Sequence, residues 1–392
     1  MCDTFCVARP GGMLFAKNSD RPPTEAQVVE AHPARPGGGR LATQYLTVDD
    51  PGARAVLGSR PTWLWGLEHG VNDARVAIGN EKIWTTRDPR EAPPALIGMD
   101  LVRLGLERAG TAEEALRVVT SLLEAHGQGG SCEADHDEPY WSSFLLADPT
   151  GAWILETSGR SWAARHQPAG AAISNRVILD DRWDLASADV AAGSDLQSWR
   201  DPAAPTEIAD HRLAATVPFV AGARADPRLA VATLRHHGTR PWGAPGADPG
   251  DVCPPPAGVA PDWTGITVCM HVRGYQATTA AMVADLDADP DAPARAWVAL
   301  GSPCASVFVP VFPPLVPAAL ASEATWWRFA RLRDRVEADP DALGAVRAVL
   351  APVEAELWDG ADAAAGGTDA ARARFVREAW APVADALDRL GV

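Results

Sequence analysis

Lysine is nearly missing from this chain. Of 35 basic residues in 392, two are lysines, Lys17 and Lys82, and the other 33 are arginines. The formal charge is −16 and no basic stripe offsets it. That balance excludes a nucleic-acid surface, which needs clustered Lys and Arg to displace counterions. Cysteine is also sparse. Cys2, Cys6, Cys132, Cys253, Cys269 and Cys304 are scattered with no CxxC pair, which fits a reducing cytoplasm rather than a disulfide framework. No apolar run is long enough to span a bilayer: the strongest, SVFVPVFPPLVPAALA, is broken by Pro310, Pro313, Pro314 and Pro317. The first 20 residues carry Pro10-Gly11-Gly12 where a secretory signal needs its apolar centre. Three common sites are missing too: a GxSxG elbow, a GxxxxGK[ST] phosphate loop and an HExxH helix.

What is present suffices for a large core. Hydrophobic residues make up 47% of the chain and tryptophan occurs 15 times. Residues 2–9 and the run MLFAKNSD after Pro-Gly-Gly predict a hairpin, with Cys2 at the outer end of its first strand. Residues 41–58 and 73–86 read as further strands, the second after a turn at 70–73. The spacing of Leu101 with Leu104 and of Val102 with Leu106 predicts a helix. TAEEALRVVTSLLEAHG predicts a second, with Thr111 as N-cap and Glu114 as its capping-box partner. SSFLLAD, AWILETSG and SWAARHQP follow as a meander that AAISNRVIL continues. Residues 180–228 and 240–262 read as loop around a helix at RLAVATLRHHG, before the apolar runs ITVCMHV, TTAAMVADL and SVFVPVF. Strands in blocks with helices between them predict an α+β fold of two antiparallel sheets. The expected domain spans 2–318, and 319–392 is a helical extension packed on it.

The second residue is where chemistry concentrates. Removal of Met1 would leave Cys2 with a thiol of pKa about 8.5 and an α-amine of about 8 on one residue. Such a residue is nucleophile and base together: the amine takes the thiol proton as sulfur attacks a carbonyl, then returns it to the leaving nitrogen. The site then needs an acid to hold the amine and donors for the oxyanion. The stretch FAKNSDR returns beside Cys2 and offers Lys17, Asn18, Asp20 and Arg21. Asn80, at the end of the strand AIGNE, is a neutral donor suited to an oxyanion. Cys6 is the competing nucleophile and would need five residues removed.

The stretches CDTF…FAKNSDRP, RPTWLWGLEHGVN, AIGNEKIWT, GMDLVRLGLERAGTAEEAL, LLEAHGQGG and WILETSGRSWAA resemble the secernins. More broadly they resemble the related dipeptidases of the N-terminal nucleophile hydrolase superfamily. The resemblance is dense over residues 2–175, recovers weakly at TTAAMVADL and SVFVPVF, and is only general in the tail. It implies a four-layer αββα sandwich with Cys2 as the nucleophile. It further implies that Asp20 holds the α-amine, that Asn80 donates to the oxyanion, and that Asn175 lies near the scissile carbonyl. Lys17 falls where bile-acid amidases of the superfamily carry Arg.

Asn18, Arg21, Trp65 and Glu156 are the candidate substrate contacts. Each has a plainer reading: Asn18 and Arg21 as an ordinary strand end, Trp65, like Trp63, as core, and Glu156 as the partner of an arginine. His126 and Gln128 of HGQGG either shape a loop over the site or end a helix. His236 and His237, being adjacent, point to different sides of a helix and make a poor metal pair. The expected activity is hydrolysis of a small dipeptide, or of an N-acyl amine, with neither metal nor organic cofactor. A third reading is an interaction or trafficking protein with vestigial hydrolysis. Cytoplasmic location, no membrane and no nucleic-acid partner are expected, and self-association is left open.

Overall fold

A computed structural model describes residues 1–204, 207–222, 225–238, 266–272 and 274–392. The chain opens with the expected hairpin of β1 (Cys2–Arg9) and β2 (Gly12–Arg21). Gly11 has φ +79°, and a Cβ on Gly12 would stand 2.1 Å from the carbonyl oxygen of Leu286, so both turn positions require glycine. Then come β3 (Gln27–His32) and two short ribbons, β4 (Arg35–Pro36) with β7 (Gly52–Ala53) and β5 (Arg40–Ala42) with β6 (Thr47–Asp49). β8 (Val56–Pro61), β9 (His69–Asn72) and β10 (Ala77–Ile83) follow. The turn before β10 lies at 73–75, where Arg75 has φ +63°, and not at 70–73.

The helix pair is α1 (Gly98–Arg108) and α2 (Ala112–His126). Thr111 caps α2 through the amide of Glu114, at 3.1 Å, but the Glu114 carboxylate accepts from Gly110 rather than from Thr111. The meander is β11 (Trp141–Asp148), β12 (Gly151–Ser158) and β13 (Ser161–Gln167). The next strand, β14 (Gly170–Ile173), leaves the meander and pairs with β1, carrying Asn175 to the start of the chain. β15 (Leu185–Ala186) returns to β13.

Residues 180–228 are mostly loop, as expected, but they also contain a helix that the pattern does not predict, α3 (Glu207–Ala221). Its buried residues are Ile208, Ala209, Arg212 and Thr216, polar at two of four places, and Pro218 sits inside it. An apolar periodicity is therefore missing although the helix is present. α4 (Pro227–Leu234) is the helix read from RLAVATLRHHG, and the proposed loop 240–262, with Cys253, lies outside the described residues. ITVCMHV pairs only at its end, β16 (His271–Val272). β17 (Gln276–Asp287), β18 (Arg295–Leu300) and β19 (Val309–Val311) precede four helices, α5 (Glu323–Ala338), α6 (Ala342–Ala365), α7 (Asp369–Glu378) and α8 (Trp380–Arg389).

One sheet runs β14-β1-β2-β17-β18-β19 with β16 beside β17, and the other runs β15-β13-β12-β11-β10-β9-β8-β3. Both are antiparallel. They face each other across a core that includes Met13, Phe15, Met282, Leu145 and Ile154. On the outside, Ile78, Phe144 and Leu155 pack under Leu101, Leu116 and Val119 of α1 and α2. On the opposite outside, Phe5, Leu14 and Val283 meet Val231 and Leu234 of α4 and Trp358 of α6. The layers are α, β, β, α, as the resemblance implies, and both faces of the β1–β2 hairpin are buried. In the tail, Trp326 of α5 is fully buried and its Nε1 donates to the carbonyl of Thr279, at 2.9 Å. Among the described residues, no helix is long and apolar enough to cross a membrane.

Candidate active site

Alternation along β1 and β2 decides which side chains meet between the sheets and which face α3. Cys2 begins β1 opposite Ser19, and its sulfur accepts from the backbone N–H of Asp20, at 3.4 Å. Burial pushes the Cys2 thiol up, opposed first by the Lys17 ammonium and then by the amine of Met1. The backbone N–H of Cys2 donates to Oδ1 of Asn175, at 2.8 Å. That oxygen also accepts from Nη2 of Arg212, at 2.6 Å, while Nδ2 of Asn175 donates to the carbonyl of Lys82, at 2.8 Å. Asn175 therefore holds the nitrogen of Cys2.

Arg212 has no precedent in the sequence reading. It is fully buried, and its Nη1 donates to the carbonyl of Cys2, at 3.1 Å, and to Asp3, at 2.8 Å. It also stands 3.7 Å from Oδ2 of Asp20. Oδ1 of Asp20 accepts from the hydroxyl of Thr278, at 2.6 Å, and Oδ2 has no hydrogen-bond partner among the described residues. Burial lifts the Asp20 carboxyl to about 6, against the pull of the Met1 amine and Arg212.

Met1 is itself buried. Its side chain packs with Ile208, Ile266, Met270 and Val272. Its ammonium donates to Gln276 Oε1 and, at 3.2 Å, to the carbonyl of Asp20. Burial lowers the pKa of that amine, partly offset by Cys2, Asp20 and Glu133. Gln276 in turn donates to Glu133, at 3.2 Å.

Lys17 points between the sheets. Its Nζ donates to the carbonyl of Asn80, at 2.7 Å, and to Glu81, at 3.1 Å, and Glu81 also accepts from Thr4. Burial opposes the Lys17 charge, but Cys2, Glu81 and Glu68 outweigh it and raise its pKa. Burial lifts Glu81 to about 7 despite the lysine. Each buried ion costs several kcal/mol of hydration, about 3–5 kcal/mol being lost when one partner alone is removed. The pair is therefore weak evidence for stability, and the ammonium of Lys17 within it is the charge that most favours the Cys2 thiolate.

Asn80 sits on β10 facing α1. Its Nδ2 meets only the sulfur of Met99, a weak acceptor, at 3.6 Å, and its Oδ1 has no partner among the described residues. A Cβ on Gly98 would lie 2.6 Å from that amide nitrogen, so the glycine leaves room for it. The Tyr140 hydroxyl also reaches Met99, at 3.2 Å. Tyr140 is among the residues lining a cleft of about 230 Å³, with Lys82, Trp84 and Glu138.

The structure thus groups Cys2, Asp20, Asn175 and Arg212, with Lys17 and Asn80 joined through the Asn80 carbonyl. The proposed substrate contacts fare differently. Asn18 points to the α4 side, where Nδ2 donates to the carbonyls of Leu234 and Val268, at 2.8 and 2.7 Å. Arg21 is buried and occupied by Glu25, Glu68 and the carbonyl of Cys132. Trp65 lies on the outer face, with the Arg103 guanidinium 4.3 Å from its ring centre. Trp63, not Trp65, joins Met99 and Tyr140. Glu156 accepts from the amides of Ile178 and Leu179, at 2.7 and 3.1 Å, bracing the segment after Asn175, and forms no ion pair with an arginine among the described residues. Gln128 braces the second sheet, accepting from Thr157 at 3.0 Å and donating to Ser142 at 2.9 Å. Asp3 was visible beside Cys2 in CDTF, whereas nothing in the sequence marked Arg212, Gln276 or Thr278.

No protein-family model matches the chain. Among solved structures it is similar to penicillin V acylase from Agrobacterium tumefaciens, with TM-score 0.45 and 12% identity over 81% of this chain and 87% of that one. It is also similar to the C2A mutant of conjugated bile acid hydrolase from Clostridium perfringens, with TM-score 0.42 and 9% identity over 76% and 88%. A third likeness is to the Caenorhabditis elegans ortholog of N-acylethanolamine-hydrolyzing acid amidase, with TM-score 0.35 and 10% identity over 60% and 86%.

Proposed function

We propose that this chain is a cysteine hydrolase of small amide bonds, a dipeptidase in the favoured reading, working through Cys2 once Met1 is removed. The observation that carries the reading is the grip on the Cys2 nitrogen by Asn175, beside an Asp20 oxygen that has no hydrogen-bond partner among the described residues. A free α-ammonium at Cys2 would have more N–H groups than the amide it replaces, and Asp20 can accept one.

The reaction follows from that pair. The amine takes the Sγ proton, sulfur bonds to the carbonyl carbon, and the C=O π electrons move to oxygen. Asn80 Nδ2 donates to that oxygen. As the oxygen pair re-forms C=O, the C–N bond breaks and the ammonium gives its proton to the leaving nitrogen. A thioester remains on Cys2. Water, deprotonated by the same amine, then displaces sulfur, and the proton returns to the thiolate.

The dipeptidase reading has a further support. Met1 joined to the nitrogen of Cys2 is a constitutional isomer of a methionyl thioester on its sulfur. Its α-ammonium already has acceptors in Gln276 and Asp20, with Glu133 behind, and its side chain has an apolar nest. An aminoacyl group is thereby accommodated. An N-acyl amidase is the second reading, favoured by the same apolar nest.

Intact mass and thiol labelling test the premise: Met1 should be gone and Cys2 should react first near neutral pH. Dipeptides and N-acyl amines, assayed with wild type and Cys2→Ala, then divide the two readings. Retained Met1, or turnover unchanged in Cys2→Ala, would overturn both.

A further inference from the structure

Far along the chain from Cys2, four side chains converge that the hydrolytic reading does not use. His237 follows α4, Cys269 and His271 flank Met270, and Cys304 lies in a 3-10 turn at Pro303–Ala305. Their ligand atoms all lie within 4.8 Å of one another. Nε2 of His271 is 3.4 Å from the sulfur of Cys269 and 3.3 Å from that of Cys304. The rings of His237 and His271 meet edge to face, 5.3 Å between centres.

Those spacings suit a tetrahedron. With metal–sulfur bonds of about 2.3 Å and metal–nitrogen bonds of about 2.0–2.1 Å, neighbouring ligand atoms stand roughly 3.3–3.8 Å apart. Two thiolates and two imidazoles are a soft, borderline donor set that selects zinc over hard cations such as magnesium or calcium. A second feature points the same way. Nδ1 of His271 lies 2.9 Å from a carboxylate oxygen of Glu337 on α5, which fixes the tautomer and turns Nε2 towards the sulfurs. A disulfide between Cys269 and Cys304 would need neither imidazole nor that carboxylate. Four protein ligands fill a tetrahedral site, and three of them, Cys269, His271 and Cys304, are buried, as in a structural rather than a catalytic site.

We propose that His237, Cys269, His271 and Cys304 form a structural zinc(II) site. The ion would pin three separate stretches: the end of α4, the segment 266–272, and the turn after β18. The pin bears on the active site through one residue. Met270, between two of the ligands, packs on Met1 and donates its amide to the Thr278 hydroxyl, at 2.9 Å, which in turn donates to Asp20. The inference does not depend on the hydrolytic reading.

Elemental analysis of the full chain purified under reducing conditions should find about one zinc per chain. Cobalt(II) exchanged into wild type should give the ligand-field bands of a tetrahedral site with a sulfur-to-metal charge-transfer band. Chelation should lower Tm by several degrees and free two further thiols. Cys304→Ser should reduce bound zinc at least tenfold while leaving Cys2 labelling intact; if that variant fails to fold, the cobalt spectrum of wild type decides. Reduced wild type that neither retains zinc nor binds it at micromolar concentration, or a Cys269–Cys304 disulfide in its place, would overturn the site.

Discussion

The backbone nitrogen of Cys2 and Oδ1 of Asn175 are 2.8 Å apart, although 173 residues separate them in the chain. That contact exists because β14 crosses from one sheet to the other and pairs with β1. It orients the nitrogen that is to act as base. Asn175→Ala should lower kcat about 100-fold, the usual scale for a misplaced reacting group, while Cys2 remains labelled by thiol reagents. Steady-state kinetics beside a labelling time course provide the check.

Asn80 and Gly98 make a coupled pair. Asn80→Ala removes the proposed oxyanion donor and should cost about 10²–10³ in kcat with little change in KM. Gly98→Ala places a methyl against both that amide and Ser142, 2.6 and 2.3 Å from their nearest atoms. Its loss of kcat should be similar, and the double variant no worse than Asn80→Ala alone. Additive losses would show that Gly98 acts elsewhere.

Asp20 should trade stability for activity. Its folded pKa of about 6 lies above its ordinary value, so between roughly pH 4 and 6 the folded chain holds a proton that the unfolded chain has lost. Stability from this group is complete below that window and declines through it. Asp20→Asn should therefore be more stable than wild type above pH 6, by about 3 kcal/mol at most, and equal to it below pH 4. Denaturation midpoints of both proteins across that range measure the difference. Turnover should fall sharply in the same variant, because the amine loses its carboxylate.

Gln276 should govern recognition of a free α-ammonium. A hydrogen bond to a charged group contributes about 1.5–3 kcal/mol, so Gln276→Leu should raise KM for dipeptides about 10- to 100-fold. Substrates with an acetylated amine should be unaffected. Equal losses on both substrate types would remove Gln276 from amine recognition.

Much of this arrangement was legible in the sequence because it is local. The hairpin follows from alternation and Pro-Gly-Gly, the helices from Leu101, Leu104 and a Thr cap, and the candidates Cys2 and Asp20 from strand ends, whereas Asn80, expected at a strand end, lies mid-strand in β10. What was not legible depends on distant pieces meeting. Arg212 takes the place of an apolar residue in the buried stripe of α3, so the same feature that ties it to Cys2 and Asp3 hides its helix. His237 looked like half of an adjacent pair because its partners, Cys269, His271 and Cys304, arrive from other elements. Trp65 and Trp63 are two residues apart, and only the fold distinguishes the one against Arg103 from the one beside Tyr140.

The burial of Met1 sets a deadline during synthesis. An aminopeptidase must reach the first residue before Ile208, Ile266, Met270 and Val272 close over it. Those residues follow Met1 by about 207 to 271 positions, which at about 5–20 residues per second allows roughly 10–55 seconds. Trimming, if Cys2 is to act as proposed, would thus be an event of the nascent chain, and molecules that missed it would fold with the Cys2 nitrogen still acylated by Met1.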